Sequence, residues 1–198
     1  MHHFFWAIFV AVLITLTPGF ALSAIVVALD EATLVERVDT VVLGTVLQTR
    51  SEVGPKGGII TRATVQVGRS LKGHKSVGEA FEVVVPGGVL PSGLGSHVAG
   101  SPSLNRGDML VGFFENRDGY QVPWGLSFGV LRVTGNSHAG FRVSRDVRGL
   151  SLVGLSGEPV SLTSIAVQDE PLEVLWERLE HYGAQLRVLP ESNQGGVR

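Results

Sequence analysis

The chain has 198 residues with 18 acidic and 16 basic side chains, a formal net charge of −2, 26 glycines and no cysteine. Near-neutral charge excludes the electrostatic footprint of a nucleic-acid binder and of a polybasic membrane surface, so no nucleic-acid partner is expected. The lack of cysteine excludes disulfides and a lipid-modified cysteine, and leaves burial alone to hold the fold.

The first acidic or basic side chain is Asp30, and everything before it is an apolar run opening on His2 and His3. Residues 4–17 (FFWAIFVAVLITLT) have the length of a secretory signal core, Pro18-Gly19 breaks the helix, and small residues follow. The expected cleavage falls after Ala28 with Val26 at minus three. Residues 1–28 are then a signal peptide, the protein is secreted or periplasmic, and no membrane association remains after cleavage. The alternative is an uncleaved anchor, because residues 4–29 could span about 30 Å of hydrocarbon as a helix. Against the anchor stand Pro18-Gly19 near mid-membrane and the lack of flanking Lys or Arg.

Beyond the signal, residues 29–168 are expected to form one domain. Residues 29–38 (LDEATLVERV) predict a short helix capped by Asp30, with acids in its first turn. Residues 40–49 predict a strand and residues 52–58 (EVGPKGG) a hairpin loop. Next, Ile59, Thr61, Ala63, Val65 and Val67 share one strand face, with Ile60, Arg62, Thr64 and Gln66 on the other. Leu71-Lys72-Gly73 ends that strand, residues 80–85 form another, and Pro86-Gly87-Gly88 breaks it. Residues 88–102 form a Gly, Ser and Pro loop whose length asks for a functional reason. Residues 109–115 (MLVGFFE) predict an apolar strand, followed by a turn at 116–119 and short strands at 120–122, 126–133 and 140–143.

Near the end, Pro171 stands at a first helical position, Leu172, Leu175, Trp176, Leu179 and Tyr182 repeat at three and four, and Gly183 is the expected stop. Residues 169–183 are thus an amphipathic helix packed on the domain, its Glu173, Glu177, Glu180 and His181 face solvated, and residues 184–198 a flexible tail. Many short strands at close spacing argue against βαβ units. The fold class expected is mainly β, a small antiparallel OB-like barrel or sandwich with one short N-terminal helix and one amphipathic C-terminal helix.

Gly125-Leu126-Ser127-Phe128-Gly129 matches the nucleophile elbow G-x-S-x-G, in which a serine sits on a strained strand-to-helix turn beside an oxyanion hole. Asp146 or Asp169 followed by His181 could complete a triad. The context is wrong for it, since Pro123 lies upstream and VLRVTG predicts a strand downstream, so Ser127 is expected in a hairpin turn or bulge and no catalytic residue is expected. His74, His97, His138 and His181 have no tight ligand spacing, so neither metal nor cofactor is expected. Gly87-Gly88 and the glycines of 93–100 are followed by no Lys-Ser or Lys-Thr and open no helix, against a phosphate cradle. Arg106-Gly107-Asp108, the tripeptide of cell-adhesion ligands, is expected to be a turn leading into Met109.

The run 38–46 (VDTVVLGTV), the alternating strand 61–67 and Leu71-Lys72-Gly73 resemble the opening of netrin-like modules, the fold of metalloproteinase inhibitors. The resemblance implies a five-stranded OB-type barrel with a helix packed on it. Inhibition in that family depends on an N-terminal cysteine reaching a protease zinc, so it does not carry over. Over most of the mature chain the succession V-V-x-G-x-V, L-K-G, V-P-G-G (85–88), A-G-S-P (99–102), Arg106-Gly107-Asp108 and the G-L motif at Gly125 is similar to uncharacterised exported bacterial proteins. That resemblance implies localisation and fold, without an activity.

The expected function is therefore binding. A groove beside the 88–102 loop, with Gly88, His97 and the aromatics Trp124 and Phe128, would hold an unknown protein or envelope component. The alternative for Trp124 and Phe128 is plain core packing. A serine hydrolase through Ser127 and a membrane-tethered structural protein stay open as other readings.

Overall fold

The computed structural model describes residues 23–161 and 169–188. The expected signal core at 4–17 and residues 189–198 of the expected 184–198 tail lie outside the described residues. The chain is mainly β. Strand β1 (Ala24–Val27) precedes helix α1 (Glu31–Arg37), followed by β2 (Thr40–Val53), β3 (Ile59–Lys72), β4 (Ala80–Pro86), β5 (Gly88–Val89) and β6 (Gly95–Ser96). Then come β7 (Met109–Arg117), β8 (Tyr120–Pro123), a 3-10 turn at Leu126–Gly129, β9 (Val130–Asn136), β10 (Gly140–Arg145), β11 (Leu150–Val153), β12 (Glu170–Pro171) and helix α2 (Leu172–Val188).

Local chemistry sets the first helix. Asp30 accepts a hydrogen bond from the Thr33 N–H at 2.8 Å, Glu31 and Arg37 sit at the helix ends that favour their charges, and Leu34 and Val35 are buried. Residues 24–27, which cleavage after Ala28 would remove, are β1, paired in parallel with β11.

One large mixed sheet runs in the order β12-β10-β9-β7-β2-β3-β4-β8. β8 pairs twice, antiparallel to the end of β7 and, through Val83 and Gln121, parallel to β4. One edge of β7 carries β2; the other is divided, with residues 109–112 taking β9 and 114–117 taking β8. β7 also separates two hydrophobic clusters. Val111 and Phe113 face the one built with α1, α2, β1 and β11, while Leu110 and Phe114 face the one built with β2, β3 and β4. Burial on both faces is why its sequence is apolar without alternation.

Three expectations change. Leu126 does not open a strand: residues 126–129 form a 3-10 turn, and β9 starts at Val130. Parallel pairs occur, β1 with β11 and β4 with β8, where only antiparallel pairing was expected. The helix expected at 169–183 differs at both ends: Pro171 pairs with Arg142 in β12 instead of opening it, and Gly183 does not stop α2, which runs on to Val188 and takes in residues assigned to the tail. A Cβ at Gly183 would lie 3.3 Å from Leu71 Cδ1, so the residue gives the helix a close approach to the end of β3. Beside that contact, Lys72 Nζ donates to the Val35 and Glu36 carbonyls at 2.8 and 2.7 Å, holding the last turn of α1. Leu71-Lys72 is thus a point where both helices touch the end of β3.

Candidate functional site

The expected loop is an ordered structure folded against the sheet. Pro86-Gly87-Gly88 leaves β4 with the Gly87 N–H donating to the Ile59 carbonyl at 2.8 Å and Thr61 Oγ1 donating to the Gly87 carbonyl at 2.8 Å. Ser51 and Thr61 join their hydroxyls at 3.0 Å on the same strand face. A Cβ at Gly88 would overlap both hydroxyl oxygens, and its φ of +136° is unfavourable for other residues, so glycine is required where the chain crosses them. β5 and β6 then form a small hairpin, closed by Leu90 N–H to the Leu94 carbonyl at 2.8 Å. Beyond it, Ser101 Oγ donates to the Pro86 carbonyl at 2.6 Å, and the Gly100 carbonyl accepts from the Ser127 N–H at 2.9 Å.

Between this hairpin and the tip of β2 and β3 lies an open groove of about 670 Å³. Thr49, Ser51 and Thr61 supply hydroxyls from the strands, Ser96 and Ser103 from the loop, and Val89 an apolar wall. His97 is the one ionisable side chain among the described residues lining it. Strand alternation sends the charges to the opposite face of the hairpin. There Arg62 binds Glu52 and Glu82 and lies 4.9 Å over the Tyr120 ring, and its hydrogen bond holds the Glu52 carboxyl below the usual range.

A smaller cleft of about 260 Å³ lies on the other side of residues 101–104. Arg132 pairs with Asp108 at 3.2 Å and Arg148 with Asp146 at 2.7 Å on its wall. Ser127 also lines it, buried, with an Oγ that has no hydrogen-bond partner among the described residues. Asp146 shares the cleft, its carboxyl held low by the Arg148 hydrogen bond, whereas His181 sits on α2 with Gln185 at 2.8 Å. Asp169 pairs with Arg142 at 2.7 Å. Ser127 is followed by a strand where an elbow serine would be followed by a helix. Arg106-Gly107-Asp108 is a turn, its Asp108 N–H bonded to the Asn105 carbonyl at 3.0 Å, leading into Met109.

The four residues expected to form the binding site do not converge. Gly88 and His97 line the groove. Trp124 and Phe128 pack edge to face at 6.0 Å in the helix-side core, Trp124 partly buried and Phe128 without exposed surface. The cause is the turn: Gly125 at φ +61° and Leu126 at φ +60° swing the chain so that Phe128 points inward, under Arg145 at 4.4 Å. The hydroxyl residues Ser51 and Thr61 were not singled out in the sequence; their signal is small polar residues on one face across both arms of a hairpin.

Comparison with models of known protein families and with curated proteins gave no match to this chain. The site is accordingly defined by its geometry, a neutral, hydroxyl-lined groove on a mainly β protein.

Proposed function

We propose that this is an exported, non-enzymatic binding or accessory protein of the bacterial envelope or extracellular space, and that its groove takes a protein or envelope partner. The observation that carries the reading is the groove lining: hydroxyls, main-chain groups and an apolar wall, with His97 as its only ionisable group among the described residues. Such a surface suits hydrogen bonding to an uncharged ligand or an extended chain and lacks the paired acid and base of general catalysis. Val89 and Leu94, each 65% exposed on the loop hairpin, are apolar contacts for a partner.

The pairings β2-β3-β4-β8-β7 and back to β2 support an OB-type barrel, the architecture of the netrin-like resemblance. OB-type barrels take ligands on strand faces and adjoining loops, and the groove lies between the 88–102 loop and residues of β2, β3 and β4. Inhibition of metalloproteinases forms no part of the proposal, since the chain has no cysteine.

Gly88 and Ser96 are direct partners, so residues 89–95 can be removed and the ends joined. Envelope extract passed over the parent protein and this deletion should leave a discrete partner on the parent alone. Equal retention by both would reject the groove.

A further inference from the structure

The strongest unused feature is β1. All four of its residues pair with β11, Ala24 to Leu150 through Val27 to Val153. The Ala24 N–H donates to the Gly149 carbonyl at 3.0 Å and the Ala28 N–H to the Val153 carbonyl at 2.7 Å. Val26 is 7% exposed and belongs to the same core as Phe128, Leu150 and Leu152. A Cβ at Gly125 would lie 2.7 Å from Val26 Cγ1, so the turn that aims Phe128 inward is itself packed against β1. Among the described residues β11 has no other strand partner, only an isolated bridge from Val153 to Pro159.

Removing β1 would bare the edge of β11 and uncover Leu150 and Leu152, leaving main-chain groups and apolar surface without cover. A cut after Ala28 therefore conflicts with the fold. Signal peptidase needs small residues at minus three and minus one. Immediately ahead of β1 the sequence reads Gly19-Phe20-Ala21-Leu22-Ser23, which offers Ala21 with Ser23, and Gly19 with Ala21. We infer that signal peptidase cuts immediately ahead of β1, at the Ala21-Leu22-Ser23 motif, and that the mature chain keeps Ala24–Val27 as a structural strand. This rests on the export reading above. The step is hydrolysis of one peptide bond before folding, so burial of β1 in the folded protein does not obstruct it.

The test is the intact mass and N-terminal sequence of the full-length gene product recovered from cell fractions. It is run on the parent, on Ala21→Arg, which places a charge in both small-residue pairs, and on Ala28→Arg. The expected parent N-terminus is Ala24 or Leu22, with precursor accumulating in Ala21→Arg and normal processing in Ala28→Arg. An N-terminus at Leu29 or within 25–28, or a processing block in Ala28→Arg with none in Ala21→Arg, overturns the inference and leaves export standing. A full-length parent chain with no processed form overturns the inference by overturning export itself.

Discussion

Arg178 on α2 donates from Nε and Nη2 to the two carboxylate oxygens of Glu31 on α1, at 2.6 and 3.0 Å, across 147 positions of sequence. The same guanidinium reaches Glu170 of β12 at 2.7 Å. These bonds raise the Arg178 pKa, first through Glu31 and then through Glu170, against the opposing effect of burial.

The relationship ties α2 to α1 and to the sheet edge, so its removal leaves the Glu31 and Glu170 carboxylates without their hydrogen-bonded cation. Hydrogen bonds to charged groups contribute about 1.5–3 kcal/mol when buried, and partial exposure lowers that. Arg178→Ala should lose about 2 kcal/mol in urea denaturation, and Glu31→Gln in the Ala background should cost little more. Full additivity of the two would show that the pair does not interact.

Arg145 presents the opposite case. Arg145 is 7% exposed, its Nε and Nη2 have no hydrogen-bond partner among the described residues, and its guanidinium lies over the Phe128 ring, with burial pushing its pKa down against the attraction of Glu31 and Glu170. Taking an unpaired charge out of water costs several kcal/mol, more than the roughly 1 kcal/mol of a cation–π contact. Arg145→Met should match or exceed the parent in denaturation midpoint, while Arg145→Ala, which empties the space over Phe128, should lose about 2 kcal/mol. A large loss in the Met variant would mean that the charge itself is needed.

Acid should weaken the fold through carboxylates held below their ordinary range. Glu79 accepts from the Ser76 N–H at 2.9 Å and from Lys75 at 3.0 Å, Asp146 is held down by Arg148, and Glu52 by Arg62. A folded-state pKa below the unfolded one contributes stability that is present above the ordinary value, about 4.3 for Glu, and lost as pH falls through the folded value. Urea midpoints measured from pH 7 to 3 should fall mainly below about pH 5, and less steeply in Glu79→Gln. An equal slope in that variant would exclude Glu79 as a contributor.

Ser127 has a buried hydroxyl with no partner among the described residues, a group whose burial costs about 1–3 kcal/mol. Ser127→Ala should be neutral or stabilising by about 1 kcal/mol, and a fluorophosphonate probe should not label the parent. Labelling that disappears in Ser127→Ala would reinstate the serine hydrolase.

Features written in local or single-strand chemistry were legible from sequence. Asp30 as a cap with acids in the first turn marks a short helix whatever surrounds it, and the apolar run at 109–115 marks a strand. What depends on distant neighbours was not legible. β1 and β11 have four residues each and pair across most of the chain, so neither carries a periodic signal. Gly183 has the composition of a stop, and only the nearness of Leu71 gives it another purpose. Phe128 follows a glycine turn, which suggests exposure, but two left-handed residues turn it into the core. Half of the expected site, Gly88 and His97, lies on the groove; Ser51 and Thr61 look like ordinary polar residues of two strands until Gly88 is seated on them.

The binding groove is the central claim, and site-directed photocrosslinking in the source cells tests it most directly. Benzoylphenylalanine would replace Val89, which is 65% exposed on the groove wall, and in a parallel variant Val174, which is 50% exposed on α2. The account predicts one discrete crosslinked species from position 89 and none from position 174. No adduct at 89, or the same adducts from both positions, would contradict it.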